Sequence, residues 1–391
     1  MEKLLVILKN SYILFFIIIL ISLESTAQEK KSEFTLSGYV KYLPSYLDYN
    51  SSYFDSETSH LIHNRLNLRG YFGENFSLGL EFRNRMMFGE NSYISSDDGL
   101  VDLSYFIVDN TNFKMHSMID RFWLKYQKNK IEISIGRQRV NWGINTIWNS
   151  NDLFNAYNFI DFDYIERPGS DVIRFQYTGD NLSSFDLVYK PSSDQGAVVA
   201  GLYKINKLGY DFQFLGANYY DDIAIGTGWA GNIKNAGFKG EVSLFYPNKE
   251  SLIEKNSTSF SSSIDYSFTN GLYVLFTYLY NSNGFVNSKN LNLFSISESR
   301  LSPKNLMPSK NSFLTQFSGQ LTPAINSSIS LIYGQGINFL YMSPTISYDL
   351  NQNLDLELIS QFFYRDIPLN DEENEFKNLL QGIYLRFKYS F

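Results

Sequence analysis

The chain has 391 residues, 17% of them aromatic (29 Tyr, 33 Phe and 4 Trp), no Cys, 3 His and a net charge of −7. Without cysteine there are no disulfides, no thiolate catalysis, no Cys-bound metal and no lipidated N-terminal Cys, and mild acidity without a basic cluster argues against nucleic acid as a partner. Mean hydropathy is −0.22, and after residue 27 no apolar run reaches the ~20 residues that a membrane-spanning helix needs.

Residues 1–27 read as a secretory leader. Lys3 and Lys9 supply the positive start, Tyr12 to Ile21 the apolar core, and Ser25, Thr26 and Ala27 the small-residue cleavage site. Because Glu2, Lys3, Lys9 and Glu24 cancel, residues 28–391 keep the charge of −7. An anchor helix is the alternative, and the apolar core is short for a span.

From residue 34 the chain repeats one unit: an alternating run, a tight turn, a second alternating run, a longer connection. Alternation predicts strands at 34–46, 60–72, 76–89, 118–128, 131–138, 171–178, 182–190, 196–206, 209–218, 222–233, 236–246, 257–268, 271–282, 311–321, 327–334, 338–349, 353–365 and 378–391. Turns rich in Gly, Asn and Asp fall at 73–75, 128–130, 179–181, 206–209, 234–235, 269–271, 322–326 and 349–353. The other connections are uneven: 47–59, 90–117, 139–170, 191–195, 219–222, 247–257, 283–310, 335–337 and 366–377. Short turns on one side and long loops on the other are the pattern of a transmembrane β-barrel, short side in the periplasm. The expected fold is therefore all-β, a single antiparallel barrel over 28–391 with about eighteen strands. Sixteen is the other count, because 196–206 and 327–349 alternate weakly. A soluble sandwich would need a second sheet over the apolar faces and far fewer aromatics at strand ends.

The last run, 378–391, places Leu379, Ile383, Leu385, Phe387, Tyr389 and Phe391 at odd positions and Gly382, Tyr384, Arg386, Lys388 and Ser390 at even ones. A strand with one apolar and one wet face crosses a bilayer only inside a closed barrel. This ending resembles the C-terminal strand of Gram-negative outer-membrane barrels. The resemblance implies that Phe391 belongs to an insertion signal read by the barrel-assembly machinery, in a membrane of outer-membrane lipid and lipopolysaccharide. A homo-oligomer is left open.

The run 62–72 separates Ile62, Leu66, Leu68 and Phe72 from His63, Arg65, Asn67, Arg69 and Tyr71, and 76–88 separates Phe76, Leu78, Leu80, Phe82 and Phe88 from Ser77, Glu81, Arg83 and Arg85. Arg or Lys on the lipid face at the midplane costs roughly 2–4 kcal/mol, so the charged faces are expected in the lumen. Phe122, Leu124 and Tyr126 likewise oppose Arg121 and Lys125, and Ile173, Phe175 and Tyr177 oppose Arg174 and Gln176. One arc of wall thus carries Arg65, Arg69, Arg83, Arg85, Arg121, Lys125 and Arg174 with few acids. It is read either as a ladder paired to Glu81, Glu132 and loop carboxylates or as an electropositive strip guiding anions. The run 271–281 is apolar on both sides and does not orient itself.

The connection 139–170 is too long and too aromatic for a solvated loop, so it is expected to fold into the barrel. Trp142, Trp148, Phe154, Tyr157, Phe159, Phe162 and Tyr164 read as its packing face or as a sugar-stacking path. Asp152, Asp161, Asp163 and Glu166, beside Arg167, read as the acidic side of an eyelet or, more weakly, as Ca²⁺ ligands. Gly136-Arg-Gln138, Trp142-Gly143 and Glu166-Arg-Pro-Gly169 resemble a spacing found in porin-like and exopolysaccharide-export barrels, which implies a pore. Arg137 departs from parity, since it shares the Ile131, Ile133 and Ile135 face. Either a bulge at Gly136 turns it inward or it sits at the headgroup level.

For catalysis the candidates are few. His60, His63 and His116 have no serine singled out beside them, Ser96 and Ser104 being only nearby in sequence, and no metal-ligand or phosphate-loop spacing occurs. No cofactor or metal is expected. The expected function is a porin-like outer-membrane channel for small hydrophilic, anionic or sugar-like solutes. A plugged, partner-binding barrel and a barrel-embedded hydrolase are the alternatives.

Overall fold

In a computed structural model the alternating runs form one continuous antiparallel sheet. Residues 32–50, 55–89, 94, 97, 99–156, 159–163, 166–193, 196–248, 255–287, 301–368 and 374–391 are described. The leader, Ser96, Tyr157, Tyr164 and parts of the long connections lie outside them. The strands are β1 (Glu33–Asp48), β2 (Glu57–Phe72), β3 (Phe76–Gly89), β4 (Ser104–Asp109), β5 (Phe113–Lys128), β6 (Ile131–Gln138), β7 (Ser170–Thr178), β8 (Ser184–Lys190), β9 (Val198–Lys207) and β10 (Tyr210–Tyr219). They continue as β11 (Asp222–Ile233), β12 (Ala236–Pro247), β13 (Ser257–Ser267), β14 (Tyr273–Asn281), β15 (Asn311–Thr322), β16 (Ile325–Gln335), β17 (Phe339–Asn351), β18 (Leu354–Pro368) and β19 (Asn374–Ser390).

Eighteen of these close the wall, as the alternation predicted. The seam joins β19 to β1, and its last bonds are made by the terminal residue. Phe391 N–H donates to Gly38 O at 3.0 Å and Gly38 N–H to Phe391 O at 2.9 Å. Closure leaves none of the eighteen wall strands with a free edge, which is what a bilayer requires of a sheet. The nineteenth strand corrects the expectation for 90–117. That stretch is not one loop: β5 begins at Phe113, and β4 pairs with its first residues, Ser104 opposite Met118 and Asp109 opposite Lys114. β4 occupies the row that β6 vacates when the chain turns inward after Gln138.

The outer face is mostly apolar. On β6, Ile131, Ile133 and Ile135 are exposed while Ser134 is buried. The inner face divides the barrel in two. Across β9 to β17 it carries mostly small or apolar side chains, such as Ala224, Gly226 and Gly228 on β11 and Ser257, Ser259, Ser261 and Ser263 on β13. Across β18, β19 and β1 to β7 it carries most of the charge. β14, which the sequence leaves unoriented, turns Leu275, Thr277 and Leu279 inward, all fully buried, and Phe276 outward. Its inner face tolerates leucine because an apolar segment of the inner loop lies against it.

Gly136 has φ +115 and an added Cβ would sit 2.2 Å from Phe122 O. Gly136→Ala is therefore expected to destabilise the barrel by on the order of 1–3 kcal/mol from backbone conformation alone, read as a lower denaturant midpoint of the refolded chain. Arg137 beyond it does not flip inward. The register runs unbroken, Trp123 opposite Gly136 and Phe122 opposite Arg137, so Arg137 keeps the outward parity. Asp97 and residues 99–103 lie over it instead: Arg137 donates to Asp97 at 2.5 Å, to Asp171 at 2.8 Å and to Val101 O at 2.7 Å.

Candidate functional site

The site is the lumen and the loop 139–169 that enters it. Two apolar clusters seat the first part of this loop. Val140, Trp142, Leu153 and Phe154 pack on Val188, Val198, Ala200, Leu202, Leu215 and Phe245. Ile147 and Trp148 pack on Leu275, Leu279, Leu314, Ile332 and Tyr341. Trp142 and Trp148 are essentially inaccessible, which supports a packing role for both rings. Truncating either to Ala would cost roughly 3–5 kcal/mol.

A backbone brought against a sheet must find partners for its polar groups. Here one side chain supplies three: the Glu241 carboxyl accepts the backbone N–H groups of Ile144, Asn145 (2.7 Å) and Asn151 (2.8 Å). Around it the small residues of β11 to β13 complete the seat. Asn145 Nδ2 donates to Ser261 Oγ at 2.6 Å, Ser263 Oγ to Asn145 Oδ1 at 2.8 Å, and Asn151 Nδ2 to Thr227 O at 3.0 Å. Glu241 was not anticipated, although a lone carboxyl on the inward row Gly237, Lys239, Ser243, Phe245 is a signal. The period-two serines of β13 are another.

The second part of the loop, 159–167, meets the charged half. Gln361 Nε2 donates to Ile160 O at 3.0 Å and Arg386 Nη1 to Phe162 O at 3.3 Å. Lys41 Nζ lies 2.6 Å from Asp163 Oδ1, Tyr39 OH donates to Glu166 Oε1 at 2.9 Å, and Arg121 Nη2 donates to Glu166 O at 2.5 Å. The loop thus touches the wall on both halves of the barrel before re-entering it at β7.

The basic arc is present and partly neutralised. Arg65 bridges Glu81 and Asp120, the latter at 2.6 Å, and Arg69 also reaches Glu81. Asp120 reaches the lumen through a bulge: β3 and β5 pair Glu81 with Arg121 but Phe82 with Ile119, so Asp120 is the extra residue and shares the inner face with Arg121. Strict alternation puts it on the lipid side, which is why the arc looked poor in acids. Lys125 pairs with Glu132 at 2.8 Å and Arg174 with Asp186 at 2.5 Å. Asp186 also accepts Trp142 Nε1 at 2.8 Å, tying the arc to the loop. Arg85 sits between His63 and His116, its Nη2 3.1 Å from His116 Nδ1, and Arg83 lies two residues along the same row opposite Arg65. Lys41 and Arg386, not counted from sequence, extend the basic lining to β1 and β19.

The loop acids do not gather into one cluster. Asp161 accepts the Asp163 N–H at 3.1 Å, Asp163 lies on Lys41 and His63, and Asp152 is fully buried 3.8 Å from Arg167. The Asp163 carboxyl is held well below the usual range by His63 and Lys41, which outweigh its burial. Burial pushes Asp152 up to about 6 from 3.8, against the attraction of Arg167 and Arg139. A carboxyl that keeps its proton longer folded than unfolded weakens the fold as pH rises between those two values. The seat should therefore loosen from pH 3.8 to about 6. Asp152→Asn should reduce that dependence, measured by proteolysis of the loop across pH.

The three imidazoles are engaged elsewhere than on a serine: His60 Nδ1 with Tyr42 OH at 2.9 Å, His63 with Asp163, His116 with Arg85.

No family model and no curated protein matches the sequence. Solved structures do. They include OccAB3 of Acinetobacter baumannii, with TM-score 0.60 and 12% identity over 92% of this chain and 99% of that one. OccAB4 of the same species gives 0.58 and 9% over 93% and 99%. The outer membrane protein OpdK of Pseudomonas aeruginosa gives 0.55 and 9% over 91% and 99%. The fold is that of these outer-membrane Occ and OprD structures, a closed antiparallel barrel of eighteen strands. The exopolysaccharide-export half of the motif resemblance finds no support among them.

Proposed function

We propose that the chain is an outer-membrane channel for small hydrophilic solutes with a preference for anions, the inner loop forming its constriction. The observation that carries this is the charge on the inner faces of β2, β3 and β5. There Arg65, Arg69, Arg83, Arg85 and Arg121 share the middle of the wall with two strand carboxylates, Glu81 and Asp120, among the described residues. An excess of fixed positive charge lining a narrow aqueous path raises the local concentration of anions. Sugars fit the reading less well, since Trp142 and Trp148 are packed away from any path. The test is conductance of the refolded chain in a planar bilayer under a salt gradient. Steady steps with an anion-biased reversal potential are the expected result, and steps without bias would remove the anion preference.

A second reading, a plugged barrel that binds a partner, is favoured by one observation: the loop is bonded to both halves of the wall. A properly folded barrel that passes no current would establish it over the first.

A further inference from the structure

Proline in a central strand removes a ladder hydrogen bond and is normally confined to edges or bulges. The wall of this closed barrel has no edge, yet two of its strands carry a proline in their interior. Pro44 lies in β1, and the β1–β2 register runs through it, Leu43 opposite Leu61 and Pro44 opposite His60. On the other side the β1–β19 ladder skips from Tyr42 opposite Phe387 to Ser45 opposite Tyr384. Pro344 behaves the same way. The β16–β17 register includes Ile329 opposite Pro344, while the β17–β18 ladder skips from Met342 opposite Phe362 to Thr345 opposite Ile359.

Both prolines turn their donorless side toward one hairpin, β18–β19. The residues they leave facing a gap are Leu385 and Ser360. Within the hairpin, Leu385 pairs with Leu358 and Ser360 with Ile383, so the two gaps stand at nearly one height. The inner loop is tied to the hairpin at this same level. Gln361, next to Ser360, holds Ile160 O; Arg386, next to Leu385, holds Phe162 O; and the Phe162 and Tyr384 rings meet at 4.7 Å.

We infer that the β18–β19 hairpin is a movable wall panel, hinged where both flanking ladders are interrupted, and that its outward swing draws the 159–163 limb of the inner loop with it and widens the passage. The hairpin's own pairing runs without a break from Leu354 opposite Tyr389 to Phe363 opposite Leu380, spanning both gaps, and shifts register only beyond Phe363, so this span moves as a unit. The part of the inference that concerns the passage rests on the channel reading above; the panel does not.

The test is Pro44→Val and Pro344→Val, singly and together, in the refolded full barrel. Valine restores the N–H and suits a strand. Amide exchange in β18 and β19 should slow by roughly fivefold per restored donor, with β10 to β12 unchanged, and excursions of the single-channel current should become rarer. Gln361→Leu, which cuts one of the loop's three ties, should make the excursions rarer while leaving panel exchange as in the parent. Unchanged exchange in β18 and β19, or equal slowing in β10 to β12, overturns the panel. Excursions unaffected by Gln361→Leu overturn the coupling. Slowed panel exchange in a barrel that passes no current supports the panel and defeats the channel reading.

Discussion

Glu241→Ala should unseat the inner loop and raise conductance several-fold. The Glu241 side chain is fully buried and accepts three backbone N–H groups of the loop. A buried donor left without a partner costs roughly 1–3 kcal/mol. Loss of all three at once therefore exceeds what the neighbouring serines recover, since Ser261 and Ser263 are already occupied by Asn145. The apolar clusters around Trp142 and Trp148 lie on strands away from β12 or at its upper end, so the barrel itself should stay closed. The expected signature is rapid proteolysis within 144–151, a larger and noisier current, and unchanged sheet content. Glu241→Gln keeps one carbonyl oxygen and should fall between. A loop as protected in the alanine variant as in the parent would mean that apolar packing alone holds it.

On the proposed anion preference, Arg83→Glu with Arg85→Glu should turn selectivity toward cations. The two changes shift the charge of one stretch of β3 by four units, at inward positions opposite Arg65 and His63 on β2. Each unit charge near an ion is worth about 1 kcal/mol at 4 Å even in bulk water, so a change of on the order of tenfold or more in the permeability ratio is expected. Screening limits the reach to about 10 Å at 0.1 M salt, so the shift should shrink at 1 M. Unchanged selectivity at low salt would remove this arc from the ion path. The basic lining on β1 and β19, Lys41 and Arg386, would then be the part that ions meet.

The alternation of residues, by itself, determined most of the wall. A period of two over 76–88 or 131–135 has one physical solution in a bilayer, charge inward and hydrocarbon outward, and eighteen such runs determined a closed barrel. It also showed that 139–170 could not be an ordinary surface loop. What only the tertiary structure decided are the places where a residue's surroundings come from far along the chain. Asp120 faces the lumen because of a one-residue bulge, which parity cannot foresee. Leu275 and Leu279 face inward because Trp148, over a hundred residues earlier, lies against them. Glu241 became the loop's anchor because the closed wall brings β12 within reach of residues 144–151. Strand periodicity is a local signal, whereas the partner that fills a lumen position is set by closure of the whole barrel.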